Sequence, residues 1–289
     1  MGLLTQGHEK SNYHPMFESI ACLITEMLAY SQGKCHIRDQ SSGKGNIMQT
    51  TLVFIPGLLL TADLYAHQTD ALKGEYSIHH AETRGMDTIT AMAERALDET
   101  SGKILPIGLS MGGIIALEIA RIGKDRLSGL VVMDSTAGAD TEARRAERIK
   151  EIKILTSLMQ NPEARVKFKG ITTQLLPRFI APQFLDDTVL TKRIMDMAAV
   201  IGQDNFILQQ TALLNRHEQL DMLKNFDLPS MFLVGALDSL TPPPLAQTMA
   251  ETAPNSRYVE IPDVGHLPPM EDPEAVTKAL KDFLDEITV

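Results

Sequence analysis

Apolar residues along this chain switch between two periods, and the switching predicts the fold. Short apolar runs at 51–55, 76–81, 103–107 and 127–134 have the length of buried strands. Helical patterns lie between them at 61–72, 88–100 and 111–122, with Thr61 placed to cap the first. Such alternation predicts a mostly parallel central sheet with helices on both faces. The rhythm stops near residue 137. From there to 226 only helical segments are readable, at 141–160, 162–176, 187–201 and 205–223. It resumes at Ser230 with an apolar run that ends at Asp238, followed by a short strand at 257–261. The expected organisation is a core of residues 48–137 and 227–289 split by an all-helical insert over 138–226. Residues 1–47 read as a loosely attached extension, a possible helix at 17–30 followed by a polar, glycine-containing linker.

Within this pattern, Gly108-Leu109-Ser110-Met111-Gly112 carries the strongest chemical signal. It spells G-x-S-x-G between a strand-like and a helix-like run, the setting of a nucleophile elbow. Glycines let strand and helix pack closely around a serine on a strained turn. The helix that starts there points free N–H groups at the place where an oxyanion would form.

A serine hydroxyl needs a base, and the base needs an orienting acid. Asp238 ends one apolar strand, and Pro242-Pro243-Pro244 prevent the strand from continuing. His266 lies in the loop after the next strand. Loops after successive parallel strands share one edge of a sheet, where sites are built. The chain order is Ser110, Asp238, His266. Asp134 ends another strand and competes with Asp238 for the acid role. Asp263 is too near His266 in sequence to approach it from behind. His79 or His80 could face the same edge, whereas His67 and His217 read as helix-surface residues. No histidine has metal-ligand spacing, and no metal site is expected.

At this point the chain resembles the α/β-hydrolase superfamily, from about Thr51 to the end. Gly108-Leu109-Ser110-Met111-Gly112-Gly113 is similar to its elbow, Gly235-Ala236-Leu237-Asp238 to its acid loop, and Gly265-His266-Leu267-Pro268-Pro269 to its histidine loop. Ile55-Pro56-Gly57-Leu58 resembles the loop that supplies an oxyanion donor, with Pro-Gly where many members have His-Gly. The resemblance implies a helical cap over the site, Ser110 as nucleophile, His266 as base, Asp238 as its orienting acid, and the backbone N–H groups of Leu58 and Met111 as the oxyanion hole. It implies hydrolysis of a small carboxylic ester through an acyl-enzyme, with no cofactor. Lactone, thioester or carbon–carbon hydrolysis by the same triad stays open. So does a receptor that captures a small ligand on the same fold.

Composition narrows the partners. A formal net charge of −10 argues against general nucleic-acid binding. No apolar run reaches the roughly 18 residues of a membrane span. The two cysteines, Cys22 and Cys35, precede the hydrolase-like region, which fits a reducing cytoplasm. Within the insert, Ile149, Ile152, Leu155 and Leu158 recur at helical spacing and are expected to pack in a core. Met195, Met197, Ile201 and Met222 are candidates for an acyl pocket or for core. Arg144, Arg145 and Arg148 are expected to form a solvated face.

Overall fold

The computed structural model describes residues 50–160 and 168–288. The expected extension over 1–47, both cysteines and part of the predicted helix at 162–176 lie outside the described residues.

Six strands form a single sheet: β1 Thr51–Ile55, β2 Ser77–His80, β3 Ile104–Leu109, β4 Leu130–Met133, β5 Ser230–Gly235 and β6 Ser256–Ile261. Their order is β2-β1-β3-β4-β5-β6, and every pairing is parallel. Residues in β3, β4 and β5 are buried throughout. Both faces of a parallel sheet are covered by helices, so its central strands read as unbroken apolar runs.

One apolar layer joins Phe54, Leu105, Val131 and Met231 to α1 (Ala66–Leu72) and to Leu280 and Phe283 of the C-terminal helix. The other joins Val53, Ile104, Val132 and Phe232 to α2 (Ile89–Asp98) and α3 (Met111–Gly123). Thr61 caps the short 3-10 turn before α1 through its hydroxyl and the N–H of Asp63.

Between β4 and β5 the described residues contain helices and loops but no strand. α4 spans Glu142–Gln160, α5 Thr188–Leu214 and α6 Leu220–Leu223. These form an all-helical insert between the two halves of the sheet. The two expected helices, 187–201 and 205–223, run end to end within α5, parted at Gly202, and the second stops at Leu214 before the short α6. Gly202, at φ 72° and ψ 173°, falls in the gap left between the two expected segments. By contrast, the described part of 162–176 is not helical up to a 3-10 turn at Leu176–Arg178. Gly170 there sits at φ 59°, a conformation that interrupts a helix.

Apolar residues of α5 settle the question of inner face. Leu190, Ile194, Met197 and Ile201 enter the same apolar layer as Phe54 and Leu105, so Met197 and Ile201 are core rather than pocket. α4 departs from expectation: Ile149 is 38% exposed, while Leu155 borders a cavity. The remaining elements are α7 (Pro243–Thr252), α8 (Pro268–Glu271) and α9 (Pro273–Thr288).

Candidate active site

Ser110 stands between β3 and α3 with φ 57° and ψ −117°, a strained conformation for a residue with a side chain. The neighbouring glycines explain how the turn closes. A Cβ on Gly108 would lie 2.0 Å from the Gly112 carbonyl oxygen, and one on Gly112 would lie 2.0 Å from that of Ile55. Backbone hydrogen bonds hold the turn: the Ser110 N–H donates to Met133 O at 2.9 Å, and the Ser135 hydroxyl donates to Ser110 O at 2.7 Å.

Asp238 and His266 follow β5 and β6, so all three side chains come from carboxyl ends of strands. The two loops are stitched together. Leu237 N–H donates to Val264 O at 2.9 Å, and a Cβ on Gly235 would fall 1.9 Å from the Gly265 carbonyl oxygen. The result is a hydrogen bond of 2.8 Å between His266 Nδ1 and Asp238 Oδ2, with both residues 3% exposed.

Asp238 also accepts from the Thr241 hydroxyl at 2.6 Å and from the N–H groups of Leu240 (2.8 Å) and Thr241 (3.1 Å). Burial alone would push this carboxyl up. The charge and hydrogen bond of His266, with the Thr241 donors, outweigh it and bring the pKa down to about 2. Asp238 is therefore an ionised acceptor, and Nδ1 is assigned as the donor. A nitrogen used in this way has no lone pair for a cation, although Asp134, Asp238 and His266 place ligand-type atoms within 4.8 Å of one another.

Ser110 and His266 line one cavity of about 670 Å³, whose wall also includes residues of the helical insert. With Nδ1 engaged, Nε2 is the ring nitrogen left for a hydroxyl. Leu58 and Met111 border the same cavity. Among the described residues no acceptor engages the N–H of either, and Met111 is the first residue of α3, where N–H groups are free. The rest of the wall is largely apolar, including Ile114, Leu155, Phe168, Phe179 and Leu245.

Arg144 and Arg148 also reach this cavity instead of forming a wholly solvated face. Arg148 is held by Asp140 (2.6 Å) and Gln210, and Asp140 also pairs with Arg216 at 2.7 Å. Arg145 remains exposed, with its guanidinium on Leu214 O. The competing histidines stay away from the cavity: His79 and His80 end β2, at the sheet's edge. Asp263 is exposed.

Sequence reasoning missed three supporting groups. Thr241 has a signal, the Asp-x-x-Thr spacing of a turn closed by an aspartate. Glu271 lies two residues beyond the quoted histidine motif and was given no role. Buried there, its carboxylate accepts from the N–H groups of Ala181, Gly265 and Leu267 at 2.7, 2.8 and 2.9 Å. Gln209 of α5 has no local signal. Its Oε1 accepts from Leu59 N–H at 3.2 Å, beside Leu58.

Comparison with known proteins agrees with this fold. Residues 52–279 match the alpha/beta hydrolase family. A Mycobacterium tuberculosis protein, BpoC, that carries a provisional non-heme bromoperoxidase name is 30% identical over 209 residues, 71% of this chain and 76% of that protein. The pimeloyl-[acyl-carrier protein] methyl ester esterase of Edwardsiella ictaluri is 26% identical over 248 residues, 81% of this chain and 93% of that enzyme. Among solved structures, a thermophilic esterase from Thermogutta terrifontis superposes with a TM-score of 0.72 at 27% identity, covering 86% of this chain and 92% of that one. The chain belongs to the alpha/beta hydrolase family.

Proposed function

We propose that this member of the alpha/beta hydrolase family cleaves carboxylic esters of small molecules through a Ser110–His266–Asp238 triad, with the N–H groups of Leu58 and Met111 as its oxyanion hole and residues 138–226 as its cap. One observation carries the reading. A strained serine at the head of α3 opens onto the same cavity as an imidazole whose Nδ1 is tied to a buried, ionised carboxylate. The esterase names of two relatives support an ester as substrate, and the apolar wall suits an acyl chain.

On this reading the reaction runs in two stages. His266 Nε2 takes the Ser110 proton as Oγ attacks the ester carbonyl, and the carbonyl oxygen gains negative charge between the two N–H donors. Losing one such donor typically costs about 3 kcal/mol of transition-state stabilisation. Asp238 holds the imidazole in the right tautomer and stabilises its charged form. The carbon–oxygen bond to the alcohol breaks, the alcohol leaves with the proton from His266, and an acyl-serine remains. His266 then takes a proton from water, the hydroxide attacks the acyl carbon, and the proton returns to Oγ as the acid departs. These steps require no metal or organic cofactor.

The test is a panel of p-nitrophenyl esters, γ-lactones and acyl thioesters with the wild type and Ser110→Ala, alongside labelling by a fluorophosphonate. Multiple turnover on esters, its loss in Ser110→Ala, and a label mapped to Ser110 are expected. Undiminished ester hydrolysis by Ser110→Ala would sink the proposal.

A further inference from the structure

The triad geometry leaves one buried acid unused. Asp134 follows β4, next to the strand that leads to Asp238. It is wholly buried, and its backbone has φ 43°, unusual for a residue with a side chain. Its N–H donates to Leu233 O, and its Oδ1 accepts from Gly235 N–H at 2.9 Å. Oδ2 is buried and has no hydrogen-bond donor among the described residues. Yet a carboxylate oxygen of Asp134, one of Asp238 and a ring nitrogen of His266 all lie within 4.8 Å of one another.

Two carboxyl groups this close and this buried do not both ionise. The surroundings decide which keeps the proton. Asp238 has His266, the Thr241 hydroxyl and two backbone N–H groups as donors. Asp134 has one N–H. The other titratable groups that act on it or share its surroundings are the carboxyls of Asp238 and Glu271 and the phenol of Tyr65, whose hydroxyl donates to Ile55 O. Burial, then the charge of Asp238, hold the Asp134 carboxyl well above the usual range. With its proton, Oδ2 changes from an orphaned acceptor into a donor that faces Asp238.

We propose that Asp134 is a positioning residue of this site, a neutral carboxylic acid that braces Asp238 from behind and stands in reserve to orient His266 if Asp238 is lost. The inference rests on the serine-hydrolase reading of the cavity. In the intact protein Asp134 keeps its proton throughout the cycle, and only the Ser110 proton moves. If Asp238 is replaced by a neutral group, burial still raises the Asp134 carboxyl but the added repulsion is gone, so it loses its proton at a lower pH than in the intact protein. Above that pH Asp134 presents a carboxylate to the imidazole.

Infrared spectroscopy tests the protonated acid without using turnover. The wild type at neutral pH should show a carboxylic-acid C=O band that disappears in Asp134→Asn, and in Asp238→Asn that band should titrate away at lower pH than in the wild type. The second comparison decides the matter if Asp134→Asn fails to fold. Kinetics test the reserve role. Asp238→Asn should lose only about 10²-fold in kcat, with the rate rising as Asp134 ionises. Asp134→Asn/Asp238→Asn should lose the ~10⁴-fold seen when a triad acid is neutralised without replacement. The proposal is overturned if the wild type has no protonated-acid band attributable to Asp134, if the band titrates identically in Asp238→Asn, or if that single variant is as inactive as the double. Full activity of Ser110→Ala would instead remove the hydrolase reading and leave the infrared result standing.

Discussion

Gln209 of the helical insert holds Leu59 of the loop after β1. Its Oε1 accepts from the Leu59 N–H at 3.2 Å while its Nε2 donates to the Thr83 hydroxyl at 3.1 Å, and the side chain is wholly buried. Leu59 sits at φ 64°, a conformation that side chains disfavour and that its surroundings must impose. The cap thus does more than cover the cavity, because it fixes the backbone one residue from a proposed oxyanion donor.

Gln209→Leu should therefore lower kcat about tenfold with a smaller change in KM, since the loop acts on the developing charge more than on the bound ester. Leaving the Leu59 N–H buried without a partner should also cost about 1–3 kcal/mol of stability. Ester kinetics with urea denaturation check both. An effect on KM alone would show that Gln209 shapes binding instead.

Ser110 permits a separation of strain from chemistry. Ser110→Gly removes the Cβ from a residue at φ 57° and should raise stability by about 1–2 kcal/mol while abolishing turnover. Ser110→Ala keeps the Cβ and should be equally inactive with stability near the wild type. Denaturant midpoints of the two variants measure the difference, and equal midpoints would mean the elbow stores no strain.

Glu271 supports His266 through the backbone. Two of its acceptor contacts go to the residues on either side of His266, and the third goes to Ala181 in the cap. Glu271→Ala leaves three buried N–H groups without an acceptor and should destabilise the protein by about 3 kcal/mol or more. Glu271→Gln restores one acceptor oxygen and should recover part of both stability and kcat. Thermal unfolding and ester hydrolysis of the pair provide the check.

Glu118 gives a pH prediction. Its carboxylate, in α3, accepts from Thr90 (2.6 Å), Arg121 (2.7 and 2.8 Å) and Gln219 (3.3 Å). Burial pushes the group up, but these donors, chiefly Arg121 and Thr90, overcome that and hold it at about 2. In the unfolded chain the carboxyl titrates near an ordinary value of ~4.3. A depressed folded pKa contributes stability that is complete above the unfolded value and is lost as pH falls toward the folded one. The advantage of wild type over Glu118→Gln should thus be constant above about pH 5 and shrink between there and about pH 2. Denaturation at a series of pH values reads this directly, and a gap that does not narrow in acid would refute it.

Much of this protein was legible before any coordinates. The four inner strands follow from apolar runs of the right length, because buried parallel strands have no polar face to disguise them, and the half-buried edge strands β2 and β6 were read from shorter, more mixed runs. The elbow was equally plain, since Gly108 and Gly112 answer to contacts within a few residues and to one neighbouring strand. The acid and histidine loops could be placed on one edge from chain order alone. The cap was harder. The expectation of a helix over 162–176 failed in its described part. Ile149 stayed exposed despite its helical spacing, because α4 borders a cavity and has no full layer of core to face.

By itself, then, the sequence determined the elements, their parallel order of use and the residue types brought to the sheet's carboxyl edge, since each depends on local pattern and backbone geometry. Tertiary structure alone decided that Gln209 meets Leu59 across 150 positions, that Glu271 joins Ala181 to the histidine loop, and that Asp134 is left without the donors that Asp238 receives. Those outcomes turn on which buried group receives the donors and which carboxyl is left to keep its proton. That competition between desolvation and hydrogen bonding exists only after distant segments have packed together.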